Sequence, residues 1–267
     1  MLDFQCKSRY DWEDFLQVMA LLRAPGGCPW DAEQTHASIR RNFLEETYEA
    51  LDALDRDDAV DMCEELGDVL MQVAFHAQIE PERGRFTMAA VVDGVTQKLV
   101  YRHPHVFGTV QADTSDQVLA NWEVLKRKEK GQRSTADAIE AVPHTLPALW
   151  RAEKVQKKTA KAGFDWNDRL GALRKLEEEV RELREAVEAG QDPEVPHGVR
   201  EEVGDTLFIA AKVAQICGVA PEDALHRACD KFDSRFRYVE TTADKPLADC
   251  SQEDLLALWQ ESKQHES

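Results

Sequence analysis

The sequence carries two sets of carboxylates with the same internal spacing. One runs Glu45-Glu46-x-x-Glu49 and then Glu65-x-x-Asp68; the other runs Glu178-Glu179-x-x-Glu182 and then Glu202-x-x-Asp205. Residues three or four apart lie on one face of an α-helix, so Glu46 with Glu49, and Glu65 with Asp68, aim their oxygens the same way. Unpaired like charges at that spacing repel by ~0.2–0.5 kcal/mol each. A helical hairpin that closes the gap between the pairs gathers four carboxylates in one cleft, which is unfavourable without a cation. The donors are all oxygen. They select a hard ion, and Mg²⁺ keeps several waters while sharing phosphate oxygens, whereas zinc would call for histidine or cysteine. One such pattern on an isolated helix is an ordinary solvated face; recurrence in the same order argues against that.

The recurrence extends well beyond the carboxylates. "EELGDVLMQVAFHAQ" (64–78) returns as "EEVGDTLFIAAKVAQ" (201–215), with Gly67 and Gly204 each one residue before the aspartate. Lys98-x-x-x-Arg102 matches Lys231-x-x-x-Arg235, Trp122-x-x-x-Lys126 matches Trp259-x-x-x-Lys263, and "GCPW" (27–30) faces "GFDW" (163–166). The spacing differs by four residues between the two carboxylate elements, where the second copy carries the loop "EAGQDPEVPHG". This ordered self-similarity marks a tandem duplication. It predicts one domain over residues 1–126, a polar connector over 127–145 and a second domain over 146–267.

The elements that must position these groups read as helices. Glycine and proline concentrate at breaks such as "APGGCPWD", "RHPHVFG", "AVPHTLP" and "GQDPEVPHG", with periodic stretches between them. Phe43, Leu44, Tyr48, Leu51 and Leu54, then Leu66, Val69, Leu70, Val73 and Ile79, fall near helical spacing and read as core stripes. No run alternates as a strand does. The fold class expected is all-α, built as two helical-bundle domains.

Composition narrows the function. Six cysteines (6, 28, 63, 217, 229, 250) form no CxxC pair, so they read as reduced thiols of a cytoplasmic protein. Cys63 and Cys217 sit on core-like stretches and read as small hydrophobes. A net charge of −18 speaks against a nucleic-acid polymer as partner. No apolar run approaches the ~20 residues of a membrane span, and no secretory signal is expected at the N-terminus. The pair His103 and His105 brackets Pro104 and precedes Val106-Phe107, which favours a structural turn over a metal site. The basic run 151–161 reads as an exposed helix, or as a local field that draws in triphosphates.

"LEETYEALDAL…EELGDVL" and "EEEVREL…EEVGDTL" resemble the EExxE…ExxD signature of the all-α nucleoside triphosphate pyrophosphohydrolases, in their tandem-domain form. "GGCPWDAEQTHASI", "YRHPHVFG", "LPALWRAEKVQKKTAKAGFDW" and "KFDSRFRYVE" are similar to segments of the same family, so the resemblance spans nearly the whole chain. It implies Mg²⁺-dependent hydrolysis of ribo- and deoxynucleoside triphosphates to the monophosphate and pyrophosphate, by a homodimer. It further implies that Glu179, Glu182, Glu202 and Asp205 hold Mg²⁺, with Glu46, Glu49, Glu65 and Asp68 as their N-terminal equivalents. Glu178 (and Glu45) then orients or deprotonates the attacking water. Lys175, Lys231, Arg235 and Lys263 fit a clamp on the triphosphate, and Trp259 a base-stacking wall. The first copy keeps Lys98, Arg102, Trp122 and Lys126 but has Asn42, beside Arg41, where the second has Lys175. The resemblance makes the second domain the principal catalyst. A narrower dUTP- or dCTP-type enzyme, or a non-enzymatic helical scaffold that binds Mg²⁺ and nucleotide, are the alternatives. A scaffold would not need cations placed around its acidic cluster.

Overall fold

The computed structural model describes residues 4–190 and 197–264, and every regular element among them is helical. The chain divides into two compact units, Met1–Lys126 and Arg127–Ser267. The stretch 127–145 contains the end of one helix and a further short helix, Thr135–Glu140, capped by Ser134 in a reciprocal box with Asp137. The six central residues of the inserted loop, 191–196, lie outside the described residues.

The first unit is organised by a helical hairpin. α1 (Trp12–Arg23) starts at Asp11, which caps it reciprocally with Asp14, and α2 is the short turn Pro29–Glu33. α3 (Arg40–Asp55) and α4 (Ala59–Glu82) fold back on one another across three residues. Asp57 adopts φ 53° in that turn, and Asp58 then caps α4 by accepting from the Val60 and Asp61 amides. α5 (Met88–Arg102), α6 (Pro104–Phe107) and α7 (Ser115–Glu129) follow. The core is Met19, Ile39, Ala74, Phe75 and Ile79, with Phe15, Leu16, Leu22 and Met71 packed against it. Arg23 closes one side, lying over the Phe75 ring and clamping Glu82 bidentately at 2.8 Å. His36 pins the loop before α3 to α4: its Nδ1 is 2.7 Å from Nδ1 of His76, and its Nε2 meets the buried Glu80, which Arg85 also engages.

The second unit repeats the plan. α8 (Thr135–Glu140) leads to α9 (Ala148–Lys161), and α10 (Arg169–Glu188) packs along α11 (Val199–Ile216) as α3 does along α4. α12 (Pro221–Thr242), a 3₁₀ turn at Leu247–Asp249 and α13 (Gln252–Ser262) complete it. Asp168 caps α10 through the Gly171 amide, and Gly218, at φ 77°, ends α11 in the left-handed conformation that glycine adopts without strain. Lys212 on α11 is 1% exposed; its ammonium meets Asp165 at 2.5 Å and Gln215 at 2.9 Å, which ties the 163–166 turn to the helix.

Two expectations about burial fail together. Leu44, Tyr48, Leu51 and Leu54 on α3, and Leu66 and Leu70 on α4, are exposed, while small residues such as Ala50, Ala53, Ala74 and Ala77 line the buried seam. Cys63 and Cys217 are exposed as well, and do not pack as core hydrophobes. The physical reason is the same. Two helices bury only a narrow strip against each other, and alanines let them approach closely, so the large apolar residues are left facing outward.

Candidate active site

In the first unit, one oxygen each of Glu46, Glu49 and Glu65 lie within 4.8 Å of one another. Glu46 and Glu49 come from α3, Glu65 from α4, and the hairpin turn sets the register that brings them level. Asp68, one turn beyond Glu65, acts on both Glu46 and Glu65 through its charge. Burial, followed by repulsion from these neighbours, raises the pKa of Glu46 and of Glu65 above the ordinary carboxylate value.

In the second unit the converging oxygens belong to Glu179 on α10 and to Glu202 and Asp205 on α11. Glu182 contributes through its charge on Glu202. Glu179 and Glu202 are buried, and burial followed by carboxylate repulsion raises the pKa of Glu202 and of Asp205. The hairpin thus gathers the predicted ligands in each copy, with Asp68 at the edge of one set and Glu182 at the edge of the other.

The two sets differ in their cations. Lys175 lies 2.8 Å from Glu179 and 2.9 Å from Glu178, and those two contacts, Glu179 first, raise its pKa above the ordinary lysine value. In the first unit Asn42 stands at that position, and Arg41 pairs at 2.8 Å with the outer Glu45. A tryptophan gathers some of the remaining predicted side chains in each unit. Arg235 stacks over Trp259 at 5.7 Å, with Phe232 tilted against the same indole; Arg102 and Lys126 lie over Trp122 at 5.2 and 4.5 Å. Lys231 lies one turn before Arg235 on α12; Lys263, the C-cap of α13, follows Trp259 by four and bonds Gln260 at 2.9 Å.

Two neighbours escaped the sequence reading. Gln72, one turn beyond Asp68, is buried, and its side chain favours the ionised form of Glu46. His197 sits 3.8 Å from Glu202. The first was legible as a difference between the copies, since Ile209 occupies the matching position; the second falls in the inserted loop, where the copies have no common register.

The residues fit a hard divalent cation. All converging donors are oxygens, and Glu65 Oε2 is buried and unpartnered among the described residues.

The profile of the MazG nucleotide pyrophosphohydrolase domain matches residues 34–107 and again 169–239. Each match encloses one carboxylate set. The chain is 42% identical over 255 residues to the nucleoside triphosphate pyrophosphohydrolase of Escherichia coli (strain K12), covering 94% of this chain and 96% of that one. The chain belongs to the MazG family. The nucleoside triphosphate pyrophosphohydrolase/pyrophosphatase MazG of Thermotoga maritima is 40% identical, with 94% and 95% of the two chains aligned. The protein YabN of Bacillus subtilis is 45% identical over 262 residues, which make up 52% of its length. The two MazG repeats therefore coincide with the two halves of the sequence duplication, and Trp259 and Lys263 lie beyond the second matched segment.

Proposed function

We propose that this protein hydrolyses nucleoside triphosphates, ribo and deoxy, to the monophosphate and pyrophosphate with Mg²⁺, chiefly in its second unit. The observation that carries this reading is the convergence of Glu179, Glu202 and Asp205 with the Lys175 ammonium already seated on Glu179. Glu179, Glu182, Glu202 and Asp205 are the residues to hold the ion. When bound, it neutralises phosphate charge and acidifies water. Glu178 orients the attacking water and accepts its proton, while Lys175, Lys231, Arg235 and Lys263 hold the phosphates and Trp259 walls the base. An indole reads no particular base edge, which favours broad acceptance.

We further infer that the chain works as a homodimer in the cytoplasm. The outward leucines of α3 and α4 leave an apolar face that a second copy of the chain would cover. Among the described residues no single helix is long and apolar enough to cross a membrane.

A panel of four ribo- and four deoxynucleoside triphosphates, assayed with Mg²⁺ for pyrophosphate against orthophosphate, tests the reading. Comparable pyrophosphate release from all eight is expected. Turnover confined to dUTP or dCTP would replace it with the narrower enzyme, and no turnover at all with the scaffold.

A further inference from the structure

The polar face of α4 runs Glu65, Asp68, Gln72, whereas that of α11 runs Glu202, Asp205, Ile209. Gln72 is 7% exposed, lies close enough to Glu46 to favour its ionised form, and leaves its Oε1 buried and without a partner among the described residues. An orphaned buried carbonyl oxygen is costly unless something else satisfies it. It belongs to a side chain that acts on Glu46 of the carboxylate set, and the second unit has no such neutral oxygen at the matching position. In the second unit that oxygen is replaced by an isoleucine, and a positive charge is added: Lys175 bridges Glu178 and Glu179 at hydrogen-bonding distance. An ammonium on Glu179 competes with a divalent ion for the same carboxylate. In the first unit Asn42 cannot compete, and among the described residues Arg41 pairs with the outer Glu45.

We propose that the two carboxylate sets load by different rules. The first takes a divalent cation without nucleotide, with Gln72 as an added neutral donor. The second takes its cation together with a triphosphate, whose oxygens give Lys175 an alternative partner and free Glu179. The first unit is then a standing cation site and the second a substrate-gated one. This inference rests on reading both sets as divalent sites, and goes beyond it in assigning the order and the residues that impose it.

The test is a titration of the full chain with Mn²⁺, counted by electron paramagnetic resonance, with and without a triphosphate whose α–β bridge cannot be cleaved. Without nucleotide, one ion per chain is expected, lost in Glu65→Gln and kept in Glu202→Gln. With nucleotide, a second ion is expected, lost in Glu202→Gln. Lys175→Asn should admit the second ion without nucleotide, Asn42→Lys should weaken the first at least ~tenfold, and Gln72→Ile should weaken it without adding charge. Two nucleotide-free ions of equal affinity in the wild type, or a Lys175→Asn variant that still binds one, would overturn the ordering alone. No manganese at either set, with nucleotide present or absent, would overturn the reading of both as metal sites.

Discussion

Asp205→Asn separates a metal ligand from a structural acid because it changes one charge and almost no volume. Burial, then repulsion from Glu179 and Glu201, disfavours the ionised Asp205 in the fold. In chelator and without nucleotide the neutral variant should be as stable as the wild type or more so. With Mg²⁺ and an uncleavable triphosphate the order reverses. A ligand that binds only the native state adds RT ln(1 + [L]/Kd), ~2.7 kcal/mol at a hundredfold excess over Kd. The second unit has about 140 residues. At ~2.1 cal/mol/K of unfolding entropy per residue, the wild type gains roughly 9 °C in Tm. If the substitution weakens binding a hundredfold, ~0.4 kcal/mol and a degree or two remain. Calorimetry of both proteins in chelator, in Mg²⁺ with the analogue, and in NaCl of matched ionic strength reads all of these numbers. Equal gains in wild type and variant, or a gain reproduced by Na⁺, would return the carboxylates to solvated surface charge and refute the reasoning.

Three further outcomes follow from the same geometry. Glu179→Ala or Asp205→Ala should lower turnover at least ~10²-fold, and Glu46→Ala or Asp68→Ala far less, measured as pyrophosphate release; the reverse pattern would place catalysis in the first unit. His76 has its pKa lowered by burial and then by His36, so the folded protein binds fewer protons than the unfolded chain, whose histidine titrates near 6.5. That contribution is complete above 6.5 and is lost as pH falls below it, with His36, Glu80 and Arg85 as the facing groups; the Tm of the first unit should drop on acidification and drop less in His76→Phe, and equal slopes would contradict this. Sedimentation at micromolar concentration should give twice 30.3 kDa, and a monomer would leave the outward leucines unexplained.

The carboxylates were legible because their spacing and the helical period are both local, and the duplication supplied an internal control. Glu46, Glu49 and Glu65 needed only a hairpin to meet, and Asp57 and Asp58 provide its turn. Of the apolar stripes, Ile79 is core as expected, whereas Leu44, Tyr48, Leu51, Leu54, Leu66 and Leu70 face outward. Periodicity shows that Leu44, Tyr48 and Leu51 share a face without showing whether this chain or another covers it. The tie of His36 to His76 joins residues forty apart, and no local pattern announces it. The difference between Gln72 and Ile209 lay in the aligned copies, yet it acquires meaning only once the buried amide is seen against Glu46.

The central claim is that these carboxylates serve cleavage between the α- and β-phosphates. Phosphorus NMR of a nucleoside triphosphate incubated with the wild-type protein tests it most directly. With Mg²⁺, monophosphate and pyrophosphate resonances should grow in equal amounts, and excess chelator should stop both. Diphosphate with orthophosphate as the first products, or undiminished turnover in chelator, would contradict the account.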